Sequence, residues 1–300
     1  MSNKIVLAGG SGFIGHRLEA HYAAQGREVI VLTRTPSKSN HVQWDARSMG
    51  PWVASLDGAA VLINLTGKNI NTHWNDESKR EIISSRVDSI AVLGQAVKAC
   101  VTPPEVWVQS GGIDFVGDGA IGRDESAPVA TGFLSDICDK WERAFASQSD
   151  VPIRRVQLRI GPVLGWGGGP LPPLAGLAKY FLGGTVGSGG QHFSWVHQDD
   201  LVAIVDWVIA NSHAQGIYNA VAPNPVTNAV LMSALRHAYG RPWSPPVPSI
   251  AARIGAGLMG APADIVLGGA HGVPKRLSAE GFQFKYSEIE SALAQLVGNQ

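Results

Sequence analysis

Short apolar runs and longer amphipathic segments alternate along the first half of the chain. Apolar runs without polar alternation are typical of strands buried on both faces of a sheet. They predict strands at Lys4–Ala8, Glu28–Thr33, His41–Trp44, Ala59–Leu65, Glu105–Gln109 and Ile153–Leu158. Helical spacing of apolar positions predicts helices at Gly12–Gln25, Asp76–Ala99 and Phe133–Ser147. Because strands and helices alternate, the pattern predicts an α/β fold with a parallel sheet covered on both faces.

The pattern changes after Gly161, where glycine and proline interrupt the chain more often. The expected elements are a loop at Gly165–Pro173, helices at Leu174–Phe181, Asp199–Ala210, Val226–Tyr239, Ile250–Met259 and Glu288–Val297, and short strands at His192–Val196 and Ile217–Asn219. We therefore predict two units, 1–165 and 166–300. The second is a smaller, mainly helical C-terminal lobe whose short strands could rejoin the main sheet.

Composition excludes several classes of protein. Hydrophobic residues make up 45% and charged residues 16%, which is too apolar for an intrinsically disordered chain. The formal net charge is zero, so no basic surface for nucleic acid or anionic membrane is expected. Two cysteines, Cys100 and Cys138, exclude a disulfide framework. The first apolar run ends at Gly9-Gly10, too early for a secretory signal, and we expect a cytoplasmic protein without a membrane segment.

A glycine-rich turn follows the first predicted strand and opens the first helix. Gly9, Gly12 and Gly15 have the spacing GxxGxxG, with Ser11, Phe13 and Ile14 between them. Glycines allow the tight reversal, and the free N–H groups of the helix start attract phosphate. This context predicts a Rossmann-type doubly wound sheet that binds a dinucleotide, whereas a tight turn without a ligand is the alternative.

The end of the second predicted strand indicates which dinucleotide would bind. An Asp or Glu at this place usually binds the ribose 2′-hydroxyl, but the chain has Thr33-Arg34, with Lys38 close behind. A guanidinium suits a 2′-phosphate, so we predict NADP(H). The alternative is a solvated surface arginine.

With these residues in view, the chain resembles the YfcH-like atypical extended short-chain dehydrogenases/reductases, often labelled nucleoside-diphosphate-sugar epimerases. Beyond Gly9–Gly15, the resemblance rests on Ile63–Gly67, Ser85–Val87, Trp141-Glu142, Arg159–Leu164, Gly189–Gln191, Ser194–His197 with Asp200, Pro225–Asn228 and Gly281–Phe284. It covers nearly the whole chain and implies a C-terminal family domain at about 247–295. It also implies that Leu65, Thr66 and Gly67 lie along NADP(H), and that Ile160, Gly161, Pro162 and Val163 approach the nicotinamide.

The chain departs from that family at the catalytic positions. Active members use a Ser, and a Tyr followed four residues later by Lys, but no Tyr occurs between Tyr22 and Tyr180. Alignment on Glu142 puts Leu134 and Cys138 in those places. The candidate catalytic residues are Ser110, Asp114 and His197, although Asp114 could be a loop cap and His197 a structural residue. The candidate substrate-cleft residues are Lys68, Asn69, Gln191, Ser194 and Trp195.

Two functions therefore remain open. One is an NADP(H)-dependent oxidoreductase or epimerase-like enzyme that acts on a small polar, nucleotide-linked or similar substrate. The other is a non-catalytic NADP(H)-binding sensor. The histidines show no metal-ligand spacing, so no metal site is expected, and the chain could be a monomer or a homodimer.

Overall fold

The computed structural model describes residues 2–258 and 262–298. Its strands are β1 (Lys4–Ala8), β2 (Glu28–Thr33), β3 (His41–Gln43), β4 (Val61–Asn64), β5 (Val106–Gly112), β6 (Arg154–Ile160), β7 (Val163–Leu164), β8 (His192–Phe193), β9 (Val196–His197), β10 (Gly216–Ala220) and β11 (Val226–Thr227). Its helices are α1 (Phe13–Ala24), α2 (Asp76–Ala99), α3 (Phe133–Ala146), α4 (Leu171–Lys179), α5 (Gln198–Ala210), α6 (Asn228–Ala238), α7 (Ser249–Leu258), α8 (Ala263–Leu267), α9 (Lys275–Ala279) and α10 (Ile289–Gly298). Short 3-10 turns lie at Pro51–Ser55 and Ile113–Phe115.

The main sheet has seven parallel strands in the order β10-β6-β5-β4-β1-β2-β3. The strand order reverses between β1 and β4, since β1 is followed in the chain by β2 on one side and pairs with β4 on the other. In open parallel sheets this reversal opens a crevice at the carboxyl ends of the strands, where ligands bind. The predicted doubly wound Rossmann-type sheet is confirmed.

Apolar side chains cover both faces of this sheet. On one face, Leu18 of α1 and Ile204 of α5 are buried in a cluster with strand residues such as Leu7. On the other face, Leu93 of α2 and Phe145 of α3 are buried against further strand residues. Burial on both sides explains why the strands are continuous apolar runs.

The second half of the chain does not form a separate layer of its own. Strand β10 pairs in parallel with β6 and so extends the main sheet. The predicted single strand at His192–Val196 is instead two strands, because β8 pairs with β11 and β9 pairs with β7. Helix α4 begins inside the predicted loop, at Leu171, because proline is tolerated in the first turn of a helix.

The C-terminal lobe packs around a third apolar cluster. Leu235 of α6 and Leu293 of α10 are fully buried in it. The segment before α10 is joined to α5 by the buried carboxylate of Asp200, which accepts hydrogen bonds from the backbone N–H groups of Lys285 and Tyr286, both at 2.9 Å. Helices α8 and α9 were not predicted, and Met259 lies outside the described residues. Among the described helices, none combines the length and apolarity that crossing a bilayer requires.

Candidate functional site

The glycine turn holds the start of α1 directly above the end of β1. Gly9 has a φ of +70°, a conformation that favours glycine. A Cβ on Gly15 would lie 2.1 Å from the carbonyl oxygen of Gly10, so only glycine allows the helix to approach the turn this closely. Gly12 is the N-cap of α1, and no described side chain caps the N–H groups of the first turn. These groups, together with the helix dipole, therefore offer an anion site.

The end of β2 lies beside this turn. Thr33 is buried and donates a hydrogen bond from its hydroxyl to the hydroxyl of Ser11 at 3.2 Å. Arg34 is exposed and has no ion-pair partner among the described residues. Lys38 differs from the prediction, because its ammonium is paired at 2.8 Å with the nearly buried carboxylate of Glu19. Arg34 is thus the available guanidinium at this strand end.

The segment after β4 faces the same crevice. The N–H of Leu65 donates to Ala8 O at 2.8 Å, and that of Thr66 donates to the side chain of Asn64 at 3.0 Å. The Thr66 hydroxyl oxygen is buried against Gly9 and has no hydrogen-bond partner within the described chain. A buried hydroxyl normally has a partner, so a ligand in the crevice would supply one.

Two predicted cleft residues follow on this segment. Lys68 forms a close ion pair with Glu81, and its backbone N–H donates to the Ser85 hydroxyl at 2.9 Å. The side chain of Asn69 accepts the N–H of Asn71 at 2.9 Å, so it shapes the loop. These contacts hold both side chains to neighbouring residues of the chain and assign neither of them a role toward a substrate.

An arginine that received no role from the sequence lies next to this segment. Arg86 is buried, and its guanidinium donates to the carbonyls of Lys68 at 3.0 Å and Ile82 at 2.8 Å. It stacks on Trp141 with 4.7 Å between the guanidinium carbon and the ring centre, and its Nε has no partner within the described chain. Burial lowers the pKa of Arg86 to about 10, so it still carries its charge at neutral pH. Its only sequence signal was the motif Ser85-Arg86-Val87.

The end of β5 carries two of the predicted catalytic residues. Ser110 is buried and donates to the backbone carbonyl of Asn64 at 2.8 Å, so its hydroxyl ties β5 to β4. Asp114 lies in the following 3-10 turn and is half-buried. Burial raises the pKa of its carboxyl group, and its backbone carbonyl accepts the Ser135 hydroxyl at 2.7 Å. Asp114 is therefore a titratable group just beyond the carboxyl end of β5.

Helix α3 does not supply the usual proton-transfer pair. Cys138 is buried, and burial raises the pKa of its thiol well above the usual range. Such a thiol stays protonated and cannot supply the positive charge of a lysine. Glu142 is instead structural, because it binds Arg159 of β6 through two bonds at 2.6 and 2.9 Å.

The segment after β6 packs against the second half of the chain. A Cβ on Gly161 would lie 1.9 Å from Ser194 O, and the N–H of Val196 donates to Pro162 O at 3.1 Å. Ile160 is half-buried and Val163 buried beside this contact. The four residues predicted to approach the nicotinamide are thus at the carboxyl end of the sheet, in contact with Ser194–Val196.

Three residues predicted to lie at the site, all in the second half of the chain, make contacts within the fold. Ser194 is buried and its hydroxyl donates to Ala270 O at 2.7 Å while accepting the N–H of Gly272 at 2.8 Å. Trp195 is fully buried in the apolar cluster of the lobe and does not form an open cleft wall. His197 is also fully buried, where it accepts the N–H of Asp199 at 3.1 Å and contacts Gln295 at 3.0 Å.

These contacts correct the expectation for His197. Burial lowers its pKa, which disfavours the charged acid form, and both ring nitrogens are already engaged. Gln191 is half-buried and donates to Val186 O at 3.2 Å. Of the three residues predicted to do chemistry, Ser110 and His197 are buried and Asp114 is half-buried.

A parallel sheet with an uncapped, glycine-lined helix start at the point where its strand order reverses is the arrangement of a Rossmann-type, nucleotide-binding α/β protein. Residues 5–133 match the NAD dependent epimerase/dehydratase family, and residues 247–296 match a domain of unknown function, DUF1731. The chain belongs to this epimerase family, within the atypical short-chain dehydrogenases/reductases.

Individual relatives match along nearly their whole length. Mouse epimerase family protein SDR39U1 is 34% identical, covering 98% of this chain and 99% of the relative. Epimerase family protein YfhF of Bacillus subtilis is 29% identical over 99% of this chain and 98% of its own. The crystal structure of human SDR39U1 (isoform 2) with NADPH has a TM-score of 0.88 at 31% identity, and the match covers 99% of this chain and 100% of that one.

Proposed function

We propose that this protein binds NADP(H) and acts as an oxidoreductase or epimerase-like enzyme on a small polar substrate, with nucleotide-linked sugars as the first class to test. The observation that carries the proposal is the uncapped start of α1 behind the glycine turn, because it leaves oriented N–H groups facing the crevice. The family description, which names NAD, and the human relative solved with NADPH support the same cofactor class.

The described residues suit the charged groups of that cofactor. The diphosphate would accept N–H bonds from the first turn of α1, and the unpartnered Thr66 hydroxyl would donate to the ligand beside Gly9. Arg34, which has no ion-pair partner among the described residues, would hold the 2′-phosphate. When bound, the nicotinamide supplies the hydride donor or acceptor at its C4 carbon.

Proton transfer would fall to Asp114 in place of the missing tyrosine. A carboxyl group with a raised pKa can give a proton to a substrate carbonyl oxygen as hydride reaches the carbon, and can take it back in the reverse direction. Arg86 would support this site with a positive charge beside Gly67 and Lys68. Both roles require the substrate to bind next to the end of β5.

Cofactor choice can be tested by titrating NADPH and NADH and following cofactor fluorescence. The wild type should prefer NADPH. Arg34→Ala should weaken NADPH binding by about 10- to 100-fold, the worth of one or two charge-assisted bonds, and leave NADH binding unchanged. Arg253→Ala, which removes an exposed arginine on α7, is the matched control. Equal affinity of the wild type for both cofactors would contradict the proposal.

A sensor without catalysis is the second candidate, and the side chains at Leu134 and Cys138 favour it. The two functions can be distinguished by assaying a panel of carbonyl compounds and nucleotide-linked sugars as substrates and following the oxidation of NADPH by absorbance. Turnover that Asp114→Asn abolishes, with NADPH binding retained, would support the enzyme. Tight NADPH binding with no turnover on any compound of the panel would favour the sensor.

A further inference from the structure

Two histidines and a carboxylate from distant parts of the chain lie close together. Asp118 follows the 3-10 turn after β5, His192 is the first residue of β8, and His271 lies between α8 and α9. One potential ligand atom from each lies within 4.8 Å of the other two. Asp118 and His192 are 74 residues apart in sequence, so no local motif announces this cluster.

The three side chains touch one another, because Asp118 pairs with His192 and the ring of His192 lies against that of His271. Asp118 Oδ1 lies 2.8 Å from His192 Nδ1. The rings of His192 and His271 stack with 3.8 Å between centroids and 12° between planes.

His271 is also oriented as metal-binding histidines are. Its Nδ1 lies 2.6 Å from the backbone carbonyl of Gly119, which can only accept, so Nδ1 carries a proton. The lone pair of a neutral ring is then on Nε2. A backbone carbonyl that fixes the tautomer in this way is the usual outer partner of a ligating histidine.

Backbone hydrogen bonds hold the three segments in place. The N–H of His271 donates to Gly117 O at 2.8 Å, and its carbonyl accepts the N–H of Arg123 at 2.7 Å. The N–H of Ala270 donates to His192 O at 3.1 Å, and the N–H of His192 donates to the Asp118 carboxylate at 3.2 Å. The backbone on which the three side chains stand is thus held by hydrogen bonds between the segments.

We infer that Asp118, His192 and His271 form a binding site for a divalent transition-metal ion, and we propose Zn²⁺ as that ion. Two imidazoles and one carboxylate form a three-ligand set that suits Zn²⁺ and leaves a fourth position open. That position would take water or an anionic substrate oxygen. His192 lies two residues before Ser194, which contacts Gly161 at the end of β6.

The test is a Zn²⁺ titration of the metal-free protein by calorimetry, with Co²⁺ as a visible-absorption probe of the coordination. We expect one equivalent to bind and Co²⁺ to give a tetrahedral spectrum. Loss of an outer partner alone weakens metal binding about 10- to 100-fold, so His271→Gln should weaken it by about 100-fold or more. His213→Ala, which removes an exposed histidine, should bind as the wild type does.

Asp118→Asn is the second variant, because it keeps the size of the side chain and its acceptor for the N–H of Gly119. Circular dichroism and thermal melts confirm that each variant is folded, and NADPH titration is run separately so that the two proposals can fail independently. Absence of a saturable equivalent in the wild type overturns the inference. The inference is also overturned if folded Asp118→Asn binds Zn²⁺ as tightly as His213→Ala does.

Discussion

Gly12 allows the diphosphate proposal to be tested apart from folding. It is exposed, and a Cβ built on it meets no described atom within 4 Å. Its φ of −99° is open to alanine. Loss of a favourable N-cap costs up to about 1 kcal/mol, and the reduced freedom of the unfolded chain returns about 0.4–1 kcal/mol. We therefore expect Gly12→Ala to change the free energy of unfolding by less than about 1 kcal/mol.

The same substitution should strongly affect the cofactor. The new methyl group would occupy the space in which the diphosphate approaches the backbone, and at least one charge-assisted N–H bond would be lost. Such a bond is worth about 1.5–3 kcal/mol, which corresponds to a loss of NADPH affinity of about 10- to 100-fold. The assays are urea unfolding and NADPH titration on the same preparation.

Two further glycines complete this experiment. Gly15→Ala forces a methyl group to 2.1 Å from Gly10 O, so it should cost about 1–3 kcal/mol of stability as well as binding. Gly176→Ala, on α4 with open space around it, should stabilise the protein by about 0.5–1 kcal/mol and leave binding unchanged. If Gly12→Ala binds NADPH as tightly as the wild type, the diphosphate does not lie at the start of α1 and the reasoning is refuted.

Two other predictions concern the frame of the site. Glu142→Ala leaves the guanidinium of Arg159 buried and unpaired, so it should lower the free energy of unfolding in urea by about 3–5 kcal/mol. Asp136→Ala, which breaks an exposed ion pair, is the control and should lower it by less than about 0.5 kcal/mol. Equal losses of stability in the two variants would contradict the prediction. Because burial raises the pKa of Asp114, the contribution of this carboxyl group to stability falls as pH rises above 3.8, and Asp114→Asn should gain relative to the wild type in thermal melts from acid to neutral pH. Asp124→Asn should show the opposite trend, because the hydrogen bond from Lys275 lowers the pKa of Asp124 to about 2. If the difference in stability between Asp114→Asn and the wild type does not change with pH, the pKa of Asp114 is not raised.

The first five strands and α1–α3 could be predicted closely because each is encoded by neighbouring residues. The strand β1, the turn Gly9–Gly15 and the strand β2 fall within a short stretch, so their periodicity and glycine spacing define one structural unit. The second half was predicted less well. The single strand expected at His192–Val196 is two strands, because β8 and β9 each pair with a segment that lies more than thirty positions away in the chain.

The sequence by itself determined the fold class, the family resemblance and the anion-binding turn, since these depend on local pattern and on residues that adjoin in the chain. Only the tertiary structure decided which polar side chains are free. It paired Lys38 with Glu19, buried His197 as a helix cap, and left Arg34 without an ion-pair partner in the described chain. Burial and pairing depend on segments far apart in sequence, which is also why Asp118, His192 and His271 become neighbours only when the chain is folded.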